Sequence, residues 1–162
     1  MDIKEKLKLY LDQYLKPAKK STFKEGTFAN FVDYECCSEN IDTFIKKNKD
    51  ENTFQMKLFR LIDERGLKDA DVYNKVNIDR RLFSKIRGNK DYHPSKETII
   101  LFGLALDLNE EEIEDLLSSA SYSLPMNTTF DLIIRFCFKE HIYDVDTVNN
   151  FLYDYNCKLL NE

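Results

Sequence analysis

Apolar residues recur at helical spacing along most of this chain, and the positions between them carry capping and turn residues. The clearest pattern spans residues 67–108, where it predicts two short helices, a sharp turn and a third helix packed behind them. In the second short helix, Leu82, Phe83 and Ile86 fall on one side and are expected to face inward.

The ends and the outer face of this second helix are also distinctive. Asn77 lies where the chain must turn, and Asp79 is a suitable N-cap because its carboxylate can accept an amide of the first turn. Gly88-Asn89 is predicted to end the helix in a left-handed conformation. The outward positions are polar and mostly basic: Arg80, Arg81, Ser84, Lys85 and Arg87. A short helix with an apolar back and a basic front, after a tight turn, fits the description of a helix that reads DNA.

The same periodicity predicts helices in nearly every other segment, whereas strand signals are weak throughout. Longer helices are expected at 3–15, 54–65, 98–106, from Asn109 onward, at 130–138 and at 145–155. A shorter helix is expected from residue 27 to residue 32 or 34, and another helical turn or two at 41–45. A turn at 142–146 suits an antiparallel hairpin of the last two helices. The predicted fold class is therefore all-α.

The wholly polar stretch KKNKDEN, at residues 46–52, is the predicted domain boundary. Residues 1–52 are interpreted as an accessory helical segment. Residues 53–162 are interpreted as the main domain, with a core at 54–117 and a C-terminal helical hairpin at 130–156. A chain of 162 residues is long enough for one domain with an extension, or for two small domains.

Charge is distributed unevenly along a chain whose net charge is −5. Residues 75–96 carry seven basic side chains against two acidic ones, whereas residues 97–162 carry three basic against thirteen acidic. A local positive patch can attract phosphates over about one Debye length, while the acidic remainder disfavours non-specific nucleic-acid binding. The alternative is that these basic residues only solvate an exposed helix face.

Motifs of common enzymes and metal sites are absent from the sequence. It contains no glycine-rich phosphate loop, no His-Glu-x-x-His and no Gly-x-Ser-x-Gly. The four cysteines show no metal-ligand spacing, which favours buried thiols in a reducing cytoplasm: Cys36, Cys37, Cys137 and Cys157. The acidic run at 110–112 is explained by capping of a helix start rather than by a metal. We therefore expect no enzyme, no cofactor and no bound metal.

The N-terminus, MDIKEKLKLY, lacks the apolar region of a signal peptide. No apolar run approaches the roughly 20 residues that span a bilayer. A cytoplasmic protein without membrane segments is expected.

Residues 78–89 (IDRRLFSKIRGN), the Pro-Ser at 94–95 and the following TIILFGLALDL resemble the helix-turn-helix of phage-repressor-like (Xre-type) transcription regulators. In that family a Ser-x-Ile-x-x-Gly ending of the recognition helix precedes a proline and a helix that ends in Ala-x-x-Leu. Here residues 84–88 are one residue shorter and lack the usual acidic residue before the glycine.

The resemblance covers residues 54 to about 117 and implies a five-helix repressor-like core. It continues through residues 121–160, which are similar to the tail of a bacterial subgroup found alone or appended to other domains. The first motif helix departs from the family, since Lys68 or Asp69 stands where repressors commonly carry a phosphate-clamping glutamine.

The resemblance and the basic face together predict a bacterial or phage transcription regulator that binds double-stranded DNA. Four side chains are expected to enter the major groove: Arg80, Arg81, Ser84 and Lys85. Four others are expected to hold phosphates: Arg87, Lys90, Tyr92 and Lys96.

A DNA-binding domain of this size is expected to bind a two-fold symmetric DNA site as a homodimer. The N-terminal segment or the acidic C-terminal hairpin could supply the dimer face or the contact with another protein partner. The alternative function is a non-enzymatic adaptor in which the basic helix binds an acidic protein surface, because repressor-like domains also serve as protein-binding modules.

Overall fold

A computed structural model describes residues 2–15, 40–49 and 52–161, and all regular secondary structure in these ranges is α-helical. The helices are α1 (Ile3–Tyr14), α2 (Ile41–Asn48), α3 (Phe54–Glu64), α4 (Asp69–Lys75), α5 (Arg80–Gly88), α6 (Lys96–Ala105), α7 (Glu110–Ser119), α8 (Thr129–Lys139) and α9 (Val145–Asp154). The predicted all-α class is confirmed for these residues. None of their helices is long and apolar enough to cross a lipid bilayer.

The chain divides into two compact units, of which the larger combines Met1–Lys16 with Asn52–Glu162. Its centre is α6, whose residues 99–105 are all buried, as expected for a helix that is apolar on every side. Helices α4 and α7 pack against α6, and α7 also contacts α3. Helices α8 and α9 pack together as the predicted C-terminal pair, and α8 also contacts α7.

Helix α1 is part of this larger unit, although its sequence was grouped with an accessory segment that continues to residue 52. It packs against α8, with Leu7 and Leu11 buried and the Tyr10 ring 5.4 Å from the ring of Phe136. The distance in sequence between α1 and α8 explains why periodicity alone could not reveal this contact.

The smaller unit is Pro17–Glu51, of which residues 40–49 are described. The turn or two expected at 41–45 is present as part of the longer helix α2, and the side chain of Asn40 caps this helix by accepting the Asp42 N–H at 3.2 Å. The helix expected at 27–34, and with it Cys36 and Cys37, lies outside the described residues.

Six of the seven helices from α3 to α9 end in the same way. Each is followed by a residue with positive φ: Gly66, Asn77, Asp107, Ser121, His141 and Asn156. The next residue then donates its N–H to a carbonyl five positions back, as Ile78 does to Tyr73 at 2.9 Å. This closure satisfies carbonyl oxygens at the helix end that have no partner within the helix.

Helix α5 is the exception, and the left-handed stop predicted at Gly88-Asn89 is wrong. Asn89 has φ −131° and ψ 108°, and Gly88 is the last residue of the helix with no positive φ. The reason is a contact from another helix, since the side-chain amide of Gln55 donates to the carbonyl oxygens of Ile86 and Arg87. These carbonyls therefore do not need the left-handed closure.

Two helical glycines in opposite surroundings give a test of this packing. A Cβ at Gly103 would lie 2.5 Å from Cδ1 of Ile113 and 2.9 Å from Cζ of Phe138, whereas nothing lies within 4 Å of one at Gly88. Gly103→Ala should lower the free energy of unfolding by about 1–3 kcal/mol through overpacking. Gly88→Ala should raise it by about 0.5–1 kcal/mol, because alanine loses less backbone entropy in a helix. Urea unfolding of both variants measures this, and shifts of the same sign would contradict it.

Candidate nucleic-acid interface

Helices α4 and α5 are joined by a turn at residues 76–79, in which two buried side chains flank one exposed residue with positive φ. Val76 and Ile78 are buried, while Asn77 between them is exposed and has φ 54°. Asp79 then starts α5 by accepting the Arg81 N–H at 2.6 Å. The predicted turn at Asn77 and the N-cap at Asp79 are both confirmed.

The buried face of α5 fixes how the helix is rotated. Phe83 and Ile86 are buried, whereas Leu82 is only half-buried and so lies at the edge of the face predicted for it. The Phe83 ring centroid lies 5.6–5.9 Å from three others, those of Phe59 in α3, Tyr73 in α4 and Phe102 in α6. Three helices therefore hold α5 in one orientation.

Opposite this anchor, α5 presents a polar face to solvent. All of its predicted DNA-contacting side chains are exposed: Arg80, Arg81, Ser84, Lys85 and Arg87. Lys90 follows in an exposed loop. The ammonium of Lys85 lies 4.8 Å above the centre of the half-buried Tyr92 ring, a cation–π contact that holds Lys85 on one flank of the helix.

Most cations elsewhere in the described part of the larger unit are paired with carboxylates. Seven cations of residues 2–15 and 52–161 make no ion pair, and five of them lie between positions 68 and 90: Lys68, Arg80, Arg81, Lys85 and Lys90. The other two are Lys8 and Lys139. Within these two ranges, positive charge that is not locally neutralised is therefore concentrated on α5 and beside it.

Two of the predicted phosphate-holding residues are already engaged. Arg87 donates to Asp69 at 2.5 Å, and its guanidinium lies 4.1 Å from the centre of the Phe59 ring. Lys96 pairs with Asp131 at 2.5 Å, and their side chains are only 22% and 6% exposed. A phosphate contact by Lys96 would leave the buried Asp131 carboxylate without its cation, which is costly, so Lys96 is not expected to contact DNA.

A groove of about 500 Å³ runs between α4 and α5. Its apolar lining is Leu67, Ala70, Tyr73 and Phe83. Its polar lining is Lys68, Asp69, Arg80, Ser84 and Arg87. The groove thus brings Lys68 beside Arg80 and Ser84. Residue spacing on α5 alone could not place Lys68 there, because it precedes α4.

Gln55 is a residue that the sequence analysis did not single out. It lies in α3, is 9% exposed, and donates from Nε2 to the carbonyls of Ile86 at 2.9 Å and Arg87 at 2.6 Å. A polar residue next to the start of an apolar stripe carries no local signal for a contact 31 positions away. The only hint is that a buried amide needs hydrogen-bond partners.

The two described cysteines and the metal-ligating residue types were predicted to carry no chemistry. Burial raises the pKa of the Cys137 thiol to about 12 and also raises the pKa of Cys157, so both are poor thiolate nucleophiles at neutral pH. No group of three or more histidines, cysteines and carboxylates among the described residues could hold a metal ion.

The acidic start of α7 is explained by capping and ion pairing. The Glu112 carboxylate accepts the Asn109 N–H at 2.9 Å and pairs with Arg65 at 3.0 Å. Burial alone would raise the pKa of Glu112, but the hydrogen bonds from Asn109 and Arg65 lower it on balance. The capped helix start predicted at Asn109 is confirmed, and Asn109 and Glu112 together form a capping box.

Comparison of the chain with protein-family models, with curated proteins and with solved structures gives no match.

Proposed function

We propose that residues 54–117 form a repressor-like helix-turn-helix domain that binds double-stranded DNA, with α5 as the recognition helix, and that the protein regulates transcription. The observation that carries the proposal is the concentration of cations without ion pairs at positions 68–90, which hold five of the seven such cations in residues 2–15 and 52–161. If these basic residues only solvated an exposed helix face, their share of ion pairs would be expected to resemble that of the cations elsewhere in these ranges.

Arg81, Ser84 and Lys85 are the side chains best suited to reach base edges. They lie opposite the buried Phe83 and Ile86, so a major groove that receives α5 meets them first. An arginine can donate two hydrogen bonds to O6 and N7 of a guanine, and a serine can contact any of the bases. Because Phe83 is held by three helices, these side chains are presented by a rigid element.

Phosphates would be held on both sides of this reading face. Lys68 and Arg80 line the groove towards α4, while Lys90 lies in the loop that follows α5. Contacts of this kind give affinity and register without sequence information. Lys96 is left out of this set because of its pair with Asp131, and Tyr92 is assigned to orienting Lys85.

The acidic remainder of the chain would restrict DNA to this one face. Residues 97–162 carry thirteen acidic side chains against three basic ones and should repel a duplex approaching elsewhere. We also propose that two copies of the chain bind a two-fold symmetric DNA site, since a single domain of this size contacts few base pairs.

The test starts from a site selected by the full chain out of random double-stranded DNA. Arg81→Ala should relax the preference at one base pair, at a cost of about 1–3 kcal/mol. Lys90→Ala should weaken selected and scrambled DNA alike and lower the salt slope by about one. Binding titrations at several salt concentrations separate the two effects.

Arg60→Ala is the matched control. This arginine lies on α3, is 58% exposed and pairs with Glu64 one turn away, so its loss should leave both DNA affinities unchanged. If wild type does not distinguish the selected from the scrambled site at moderate salt, the regulator proposal is wrong. The adaptor alternative then gains support if Arg80→Ala and Arg81→Ala weaken binding to an acidic protein partner.

A further inference from the structure

The end of α5 is held by a side chain from another helix, unlike the ends of the other helices between α3 and α9. In those six helices a residue with positive φ lets the backbone itself satisfy the last carbonyls. In α5 the carbonyl of Lys85 accepts the Asn89 N–H at 3.1 Å, and the next two carbonyls accept from Gln55. The local loop therefore does not determine this end by itself.

Gln55 is well placed for this task. Its amide nitrogen carries two hydrogens, which match two carbonyl acceptors, and its side chain is removed from water. An apolar side chain of the same length would leave two carbonyls unpaired next to the core, which is costly. The neighbouring Phe59, one turn further along α3, also supports Arg87 through its ring.

We propose that Gln55 is a positioning residue for DNA reading. By fixing the last turn of α5 to α3, it sets the depth and direction of Ser84 and Lys85 relative to Arg81 at the start of the helix. This inference rests on the proposed function, because it assigns Gln55 an effect on sequence preference and not merely on folding.

The direct variant is Gln55→Met, which keeps the length of the side chain and removes both donors. We expect the ratio of affinities for selected over scrambled DNA to fall by about tenfold, the order of one base contact. Affinity for scrambled DNA and the salt slope should stay as in wild type, because Lys68, Arg80 and Lys90 are untouched. Titration of the full chain against both DNAs measures all three quantities.

Gln55→Asn is a milder second variant for the case in which Gln55→Met does not fold. It keeps the amide but shortens its reach by one methylene, so bonds of 2.9 and 2.6 Å cannot both be kept. It should lose part of the preference in the same manner. Ile133→Val is the control for general loss of stability, since it trims a fully buried side chain of α8.

These titrations distinguish failure of the positioning role from failure of the proposed function. A reduced preference in the Gln55 variants, with scrambled-DNA affinity kept and with wild-type preference in Ile133→Val, supports the positioning role. A wild-type ratio in a folded Gln55 variant overturns it and leaves the proposed function intact, and so does equal weakening on both DNAs. If wild type itself does not discriminate between the DNAs, the proposed function and this inference fail together.

Discussion

Replacement of Phe83 by alanine is expected to lower the free energy of unfolding by about 3–5 kcal/mol. The side chain is 3% exposed, and its ring meets those of Phe59, Tyr73 and Phe102 from three other helices. Its removal leaves a cavity where α3, α4 and α6 meet α5, and these elements cannot all close on it. Because a domain is commonly stable by only about 5–15 kcal/mol, this is a large part of the total. Urea unfolding at fixed temperature measures the change.

Arg81→Ala is the control, two residues away on the same helix. It removes an exposed side chain without an ion pair, so the expected change is within about ±0.5 kcal/mol. Phe83→Leu should fall between the two, because it keeps most of the buried volume. Equal losses for Phe83→Ala and Arg81→Ala would show that α5 is rotated differently in the folded protein.

The starts of helices could be read from the sequence because an N-cap acts over only three residues. Thr53, Ser95 and Asn109 each accept an N–H from the residue three positions later, and hydroxyl or amide side chains directly before an apolar period favour this role. The apolar spacing of α5 likewise predicted that Phe83 and Ile86 face inward. Such short-range features depend on residues that are adjacent in the chain.

The way α5 ends and the ion pairs of the cations near it depend on residues that are distant in the sequence. Neither could therefore be predicted. The closure of α5 by Gln55 joins positions 31 and 32 residues apart. The seven basic residues at 75–96 also provide less unpaired positive charge than their number indicates. Three of its seven cations pair with carboxylates from outside the stretch: Lys75 with Asp107, Arg87 with Asp69 and Lys96 with Asp131.

The acidic run at the start of α7 shows the same limit on another surface. Capping by Glu112 was predictable from the sequence next to it, but the partner of Glu110 and Glu114 was not. Arg135, on α8, donates to Glu110 at 2.5 Å, to Glu114 and to the carbonyl of Leu124 at 2.9 Å. One guanidinium thus joins α7, α8 and the connector between them.

Loss of this guanidinium is expected to be costly. Arg135→Met keeps much of the side-chain volume but leaves two carboxylates one turn apart without their shared cation. The arginine side chain is only 12% exposed, and removal of one member of a buried ion network commonly costs about 3–5 kcal/mol. Since Glu110 and Glu114 are 37% and 44% exposed, water can hydrate them in part, and the expected loss is at the low end, about 3 kcal/mol.

Two comparisons identify the cause of that loss in the same urea titrations. Arg60→Met removes an arginine that is 58% exposed and pairs with Glu64, so it should cost no more than about 0.5 kcal/mol. Adding Glu110→Gln and Glu114→Gln to Arg135→Met should recover part of the stability, because the two remaining charges no longer repel each other. If Arg135→Met costs no more than Arg60→Met, the network does not hold α7 to α8. If the two glutamine changes recover nothing, the loss comes from packing of the arginine stem or from the lost hydrogen bond to the Leu124 carbonyl, and not from repulsion between the two carboxylates.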